Sequence, residues 1–477
     1  MRKYFPLFLI FLLAFFLRAQ YPQSGNVVFS FDQARDAFVV GNLLRGDIKI
    51  QGPSTSTRDF FHGVLYYYII APGYWLGHGS PLIAAYWLAF VTSLGVFLVY
   101  FITRLPWLAL LYAVSYEQTQ YATYLSNTSL AVLTVPLFYL GLWQWLQGKK
   151  WGPAVAGLSL GASIQANIFM VYHLPEVLVL ALFKKISITK DSLSKFVFSV
   201  LLATSSMIIS EIKFGFPSRN GLIHLLSRSG YAVSLSKQIN TTVEMFGRLF
   251  SLNLLPQLPQ LGVIIGVLLL IAFLLRRPRP SWWPIVILGL VSWIPALAFG
   301  GISSPYITAG LFILVLILVR PAGFLLISIF LISNILYLAG HISSSQTLFS
   351  IQKDMIIRQE LAAVDYIYSQ AEGQPFSLNT ATVPLFINTT WSYLFNWYGQ
   401  SRYGYLPYWH GRSQAGSLGD NLLRPPAGTK KFFVLIEPTQ GLPEDIINNY
   451  LDEEKKYSTF NHFAQFGDIT VQSRTGK

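Results

Sequence analysis

Phe31-Asp32-Gln33-Ala34-Arg35-Asp36-Ala37 follows closely on an apolar run, Tyr4 to Leu17, that opens the chain behind Arg2-Lys3. The segment Tyr4–Gln20 approaches the roughly 20 residues that cross a bilayer as a helix, so the charged stretch stands where the chain first emerges on the far side. A signal peptide opens in the same way, but no small-x-small cleavage site precedes the charges, and a retained first helix is expected. Asp32, Arg35 and Asp36 are spaced i, i+3 and i+4, on one side of a helical turn. Ser30 and Gln33 have the spacing of a capping box, which starts a helix at Phe31 and puts Asp32 in its first turn. An acid there complements the helix dipole whatever else it does. The apolar residues Phe31, Ala34, Phe38 and Leu44 are expected to turn toward the bilayer, giving an amphipathic helix that lies along the membrane.

The rest of the chain repeats the opening pattern. Hydrophobic residues make up 53% and charged residues 12% of the 477, about half the charged fraction of an ordinary soluble domain. Eleven spans are expected: Tyr4–Gln20, Pro81–Thr103, Pro106–Ser115, Ser129–Leu146, Trp151–Tyr172, Leu174–Phe183, Phe196–Ser210, Leu261–Leu275, Trp282–Phe299, Tyr306–Val319 and Pro321–Leu338. Under this count Arg2, Lys3, Arg104, Lys149, Lys150, Lys184, Lys185, Lys190, Lys195, Arg276, Arg277, Arg279 and Arg320 all fall on one side. That one-sidedness predicts a cytoplasmic N-terminus, an outer C-terminus and residence in the plasma membrane.

The net charge of +13 does not indicate a nucleic-acid binder. Beyond residue 340 there are 12 acids and 11 bases, so the excess lies in the membrane part, where it sets orientation. There is no cysteine, which excludes disulfides, thiolate metal sites and a cysteine nucleophile.

Two outer loops are long, about 21–80 and 211–260, and a membrane domain is expected over 1–340. Residues 341–477 change character and predict a small extracytoplasmic α/β domain. Its expected elements are helices at Gln352–Gln370, Pro384–Tyr398 and Pro443–Lys455, strands at Pro375–Thr382 and Lys431–Glu437, and a hairpin over Phe463–Ser473 broken at Gly467.

Three patches carry chemistry. In the first, a carboxylate at a helix N-terminus keeps its negative charge, so Asp32 is expected as an ionised base. Arg35 steadies it or grips a phosphate, and Asp36 positions an acceptor or helps hold a cation. The second patch is Phe61-His62-Gly63-Val64-Leu65-Tyr66-Tyr67-Tyr68, where His62 reads either as an interfacial histidine among aromatics or as a functional basic group, and Tyr66 belongs to an expected aromatic belt. The third is Glu211-Ile212-Lys213 at the outer end of the seventh span, either a local ion pair or a phosphate contact, with Pro217 ending the helix. Arg219, Arg228, Lys237 and Arg248 follow, expected as solvated loop cations, any of which could instead meet anionic head groups. Weaker polar candidates are Glu117, Gln118, Gln120 and Tyr121 after the third span, and Gln165, Asn167, His173 and Glu176 between the fifth and sixth.

Residues 31–37 resemble the first-loop acidic motif of GT-C glycosyltransferases, in the group that holds the protein O-mannosyltransferases and the lipid A aminoarabinose transferases. The His62 segment is similar to that family's Lys/His-Pro-Pro-Leu segment, and Glu211–Phe216 to an acidic-basic motif at the outer end of its seventh span. The chain departs from the family at Gln33, where Glu is usual, at Asp36, where an aromatic is usual, and at Gly63 and Val64, which stand for prolines. The resemblance implies an inverting transferase with Asp32 as catalytic base. Its donor would be a polyprenyl-phosphate sugar whose phosphate meets Arg35, His62 and Lys213, with Gln33, Asp36, Tyr66 and Glu211 in support. No ligand cluster in the sequence requires a metal, although a divalent cation is compatible with the acids. The partners implied are the lipid donor, the bilayer and an outer acceptor of unspecified class. The competing class is a lipid or glycolipid transporter, which would place polar residues deep in several spans and show inverted internal symmetry.

Overall fold

The computed structural model describes residues 4–55, 59–183, 185–227, 234–276, 282–294, 308–344, 347–349, 352, 354–438 and 443–477. Arg2, Lys3, Lys184, Arg228, Arg277, Arg279, the end of the expected ninth span and the start of the tenth lie outside them.

Five helices among the described residues are long and apolar enough to cross a membrane: Phe5–Gln23, Pro81–Thr103, Asn127–Leu146, Pro259–Arg276 and Phe324–Ser344. They make the protein a multi-pass membrane protein and coincide with the first, second, fourth, eighth and eleventh expected spans. The seventh span, expected over Phe196–Ser210, falls within a pair of helices, Lys190–Ala203 and Ser205–Lys213, bent by 59°. The bend falls at Thr204, whose hydroxyl bonds back to the Val200 carbonyl at 2.9 Å, a contact that competes with the helix ladder. Among the described residues the remaining expected spans are shorter helices. The third ends at Val114 and is followed by Tyr116–Thr123, buried at every position. A short helix sealed inside protein satisfies its own backbone without crossing lipid. The eleven-span count and the orientation therefore stay as sequence expectations.

The chain divides into two compact units. The first comprises Met1–Ala19, Ile48–Ile69 and Trp87–Ser344. Its core holds Tyr112, Phe138, Tyr139, Phe250, Trp293 and Phe312, all fully buried. Helix Phe312–Val319 is apolar on every face and buried at every residue, as a helix without a polar face must be. Helix Ala131–Leu146 packs backbone-close on Gly152–Ala166, because a Cβ at Gly141 would collide with the backbone of Ala156. The second long loop, expected to be solvated, instead contains helix Leu235–Leu254, whose Met245, Leu249, Phe250 and Leu254 enter this core.

The second unit comprises Gln20–Asp47, Ile70–Tyr86 and Ser345–Lys477, so two pieces of the first long loop join the C-terminal residues. Its sheet has the order β2-β1-β3-β5-β4, with β1 Phe376–Ala381, β2 Tyr408–Trp409, β3 Lys431–Ile436, β4 Ser458–Phe466 and β5 Ile469–Gly476. β1 runs parallel to β2 and β3, while β5 pairs antiparallel with β3 and β4. All six residues of β1 are buried, the mark of a strand covered on both faces. Helix Ile357–Ala371 lays Tyr368 edge-on against Phe376 of β1 at 5.2 Å. The expected helix over Pro384–Tyr398 is present as Thr389–Leu394 followed by a π-helical turn, Phe395–Gly399.

This unit also holds the helix that carries the acidic stretch, Phe31–Leu44. The segment before it is fastened to the C-terminal part. Val28 bridges Ile356, and the Ile357 N–H donates to the Val27 carbonyl at 2.9 Å. Its expected membrane-facing residues divide: Ala34 is buried, Phe38 packs edge-on against Tyr393 at 4.9 Å, and Leu44 is exposed.

Candidate functional site

The acidic cluster is set by its helix cap. Gln33 Oε1 accepts from the Ser30 N–H at 3.1 Å and from the Ser30 hydroxyl at 2.8 Å, so Gln33 is buried and serves the helix start. Arg35 joins both acids. Its Nη1 donates to Asp32 Oδ1 at 2.6 Å, and its Nε and Nη2 donate to Asp36 Oδ1 at 3.0 and 2.9 Å. The two carboxylates differ in access: the side chain of Asp36 is 4% exposed and that of Asp32 63%. A charge-assisted fork to a buried acid fixes the guanidinium, and the guanidinium fixes an open carboxylate. Asp32 is therefore placed without being covered.

In the first unit, His62 lies in a loop closed by its N–H donating to the Pro53 carbonyl at 2.9 Å. Its Nδ1 accepts from the Ile168 N–H at 3.3 Å, which puts the proton of the neutral ring on Nε2. Gly63, one of the departures from the family pattern, admits the side chain of Gln165, which a Cβ there would strike. Gln165 then joins three segments. Its Oε1 accepts from the Leu65 N–H at 3.3 Å, and its Nε2 donates to the Ala203 carbonyl at 2.7 Å and to Ser206 Oγ at 2.8 Å. Tyr66 and Tyr67 are buried, while Tyr68 is exposed and donates to the Lys49 carbonyl at 3.0 Å.

These contacts surround a cavity of about 320 Å³ beside the bent helix pair. Its walls are largely apolar (Ile48, Ile50, Val64, Leu65 and Ile209), and Lys49 and Tyr68 are among the residues that line it. Lys49 was not legible as a candidate. It lies in the loop Ile48–Ile50, outside any motif, and only the fold brings it to the cavity.

Glu211 and Lys213 do not pair. Residues two apart on a helix point to different sides. Glu211 accepts from the hydroxyl and N–H of Ser218 at 2.6 and 3.2 Å, which caps the next helix, Pro217–Ser227. Pro217 thus begins a helix where the sequence reading had it end one. Lys213 is exposed, with Nζ 5.6 Å from the centre of the Phe214 ring.

Two buried polar networks of the first unit exceed what the sequence suggested. Arg248, expected in a solvated loop, donates to Glu117 Oε1 at 2.9 Å, and Asn253 donates to Glu117 Oε2 at 2.7 Å. Glu176 Oε1 meets His173 Nδ1 at 2.8 Å, Ser292 Oγ at 2.7 Å and Tyr139 Oη at 3.3 Å. The legible signal was polarity within apolar surroundings; the missing one was the helical spacing of Met245, Leu249 and Phe250, which carries Arg248 inward.

Asp32, Gln33, Arg35 and Asp36 belong to the second unit, and His62, Tyr66, Glu211 and Lys213 to the first. Among the described residues no three His, Asp or Glu side chains are grouped to hold a metal ion. No family model and no curated protein matches the chain. Among solved structures it is similar to the crystal structure of ArnT from Cupriavidus metallidurans bound to undecaprenyl phosphate, at 12% identity and a TM-score of 0.48, over 98% of this chain and 97% of that one.

Proposed function

We propose that the protein is a membrane glycosyltransferase that moves a sugar from a polyprenyl-phosphate donor to an extracytoplasmic acceptor, with Asp32 as general base. The observation that carries this reading is the division of labour at the helix start: buried Asp36 holds Arg35, and Arg35 holds Asp32 open to solvent. An ion pair kept only for stability gains little at an exposed position, about 0–1 kcal/mol. A base needs the opposite combination of fixed geometry and free access.

In the reaction, the acceptor O–H or N–H gives its proton to Asp32 as the acceptor atom bonds to the anomeric carbon. The bond from that carbon to the phosphate oxygen breaks, and the electron pair leaves with the lipid phosphate. Arg35 steadies the base. His62 and Lys213 are proposed to meet the phosphate, and the cavity lined by Lys49 supports adding that residue to them. Its apolar walls suit the start of an isoprenoid tail, whose withdrawal from lipid into water costs about 25 cal/mol per Å².

The test is turnover with a panel of labelled polyprenyl-phosphate sugars in reconstituted membranes. Asp32→Asn is expected to lose about 10²–10⁴-fold in turnover while still binding the lipid donor. Unchanged turnover in that variant would remove Asp32 as the base, and no transfer from any of the labelled donors by the native chain would favour the transporter.

A further inference from the structure

The second unit contains an open cavity of about 800 Å³ built from four segments distant in sequence: 37–45, 74–79, 393–401 and 417–421. Its size lies within the range of about 300–1,000 Å³ that takes a drug-sized ligand. Ala37, Phe38, Gly41, Asn42 and Arg45 reach it from helix Phe31–Leu44 and its C-cap. At about 100° per residue, Asp32 and Asp36 fall on the other side of that helix. The cavity and the acidic cluster therefore share an element and not a face.

The lining combines two chemistries. Trp75 is 66% exposed, and Trp397 is half-buried on the π-helical turn Phe395–Gly399. Such turns are rare and recur at functional sites. Beside the rings stand planar amides. Asn396 and Asn421 donate to one another's carbonyl oxygens at 3.0 and 2.6 Å, which leaves the second N–H of exposed Asn421 for a ligand. Asp420, next in the loop, is exposed and makes no hydrogen bond or ion pair among the described residues.

The loop that presents these groups is held in place. Ser392 Oγ donates to the Gly419 carbonyl at 2.6 Å, and Thr389 Oγ1 donates to the Leu418 carbonyl at 3.0 Å. Gly419 has φ +87°, and a Cβ there would stand 2.6 Å from Ser392 Oγ and 2.9 Å from Phe38 Cε2. No larger residue fits that position. A preformed site loses less entropy on binding.

We propose that this groove binds a neutral saccharide of a few pyranose rings, the glycan part of the acceptor. Pyranose rings offer apolar C–H faces to indole rings, and their hydroxyls both donate and accept, as amides and a carboxylate require. The fixed charges of the lining, Arg45 and Asp420, balance, with the His78 imidazole beside them, so the groove has no fixed cationic surplus for a phosphate or nucleotide. The acceptor role rests on the glycosyltransferase reading; saccharide binding does not.

The experiment uses the full chain in lipid nanodiscs, titrated with mannotriose, maltotriose and chitotriose by calorimetry and saturation-transfer NMR. At least one trisaccharide is expected to bind. Trp397→Ala should weaken it about tenfold or more, and Trp397→Phe less. Asp420→Asn and Asn421→Ala, on an exposed loop, should each weaken it several-fold and cover the case in which the tryptophan variant fails to fold. No binding by any trisaccharide, or equal binding by all these variants, would overturn the groove. Asp32→Asn should bind the trisaccharide as the native chain does. A catalytic reading that fails thus leaves the groove standing, and a groove that binds nothing leaves Asp32 standing.

Discussion

Ser377, His410 and Glu454 are joined hydroxyl to imidazole to carboxylate, at 2.8 and 3.0 Å, and all three side chains are buried. Asp32 belongs to the same compact unit, is paired with Arg35 among the described residues, and is open to water. The first set has the residue types of a nucleophilic triad, and the second is one acid on a surface helix. Access reverses the expectation. Ser377 is 0% exposed on a strand buried at every position, so no substrate can reach its oxygen. Asn379 also donates to Glu454 Oε1, which makes the set a sealed network that ties β1 to helix Glu444–Glu454. What surrounds a carboxylate decides what it can do more than which groups stand in line with it.

The largest expected effect tests the open acid. Asp32→Asn keeps the shape of the helix start and removes the charge that would take a proton. Turnover on a polyprenyl-phosphate sugar should fall about 10²–10⁴-fold, with the unfolding temperature close to native. If a substitution in the sealed set removed turnover without affecting stability, the comparison would be the wrong way round.

The next effect concerns an acid sealed with a cation. Glu117 is 1% exposed and bound to Arg248 and Asn253. Glu117→Ala removes the carboxylate to which Arg248 and Asn253 both donate and is expected to cost about 3–5 kcal/mol. Thermal unfolding in detergent measures this. A loss below about 1 kcal/mol would mean that water reaches the pair.

Glu360 and Glu437 are buried acids with no cation paired to them among the described residues. Neither oxygen of Glu360 has a hydrogen-bond partner among the described residues. Burial pushes the Glu437 carboxyl up to about 7, against donors from Val383, Gln352 and Trp391 that favour the anion. Burial also raises Glu360 well above the usual carboxylate range, and the neighbouring Glu437 charge adds to it. A raised acid stabilises the fold fully below its unfolded value, near 4.5, and that contribution is lost as pH climbs through the folded value. For Glu437 the window runs from about 4.5 to about 7, with on the order of 3 kcal/mol at stake. Unfolding followed between pH 4.5 and 8 should show stability falling as pH rises, and Glu437→Gln should flatten part of the slope. A native profile that is flat or rises with pH would show that the pair is not sealed.

The same distinction marks what the sequence could tell. Local signals survived folding: the Ser30–Gln33 cap, the strands near 376–381 and 431–436, and the hairpin broken at Gly467 all stand where local spacing put them. Enclosure was not legible, because it depends on residues far apart in the chain. Glu211 reads as a phosphate contact until Ser218 takes both its oxygens. Arg248 reads as solvated until helix Leu235–Leu254 packs inward, and the 800 Å³ groove needs four separate segments to exist. The bend at Thr204 was hidden as well, since a threonine in an apolar run does not announce which carbonyl it will bond.

The smallest expected effect returns to the sealed network. If Glu454 accepts from His410 Nε2–H, Nδ1 must accept the hydroxyl proton of Ser377. Ser377→Ala removes that donor and leaves a buried acceptor unmet, at a cost of about 1–3 kcal/mol. Turnover per folded molecule should not change, because the oxygen removed faces no solvent. Ser377→Thr keeps the hydroxyl but adds a methyl on a strand buried at every position, and is not expected to rescue the loss. The deciding measurement is the ratio of activity to folded protein across the two variants. A ratio that falls with stability held constant would make Ser377 reachable, and the closed triad would then have to be counted as chemistry.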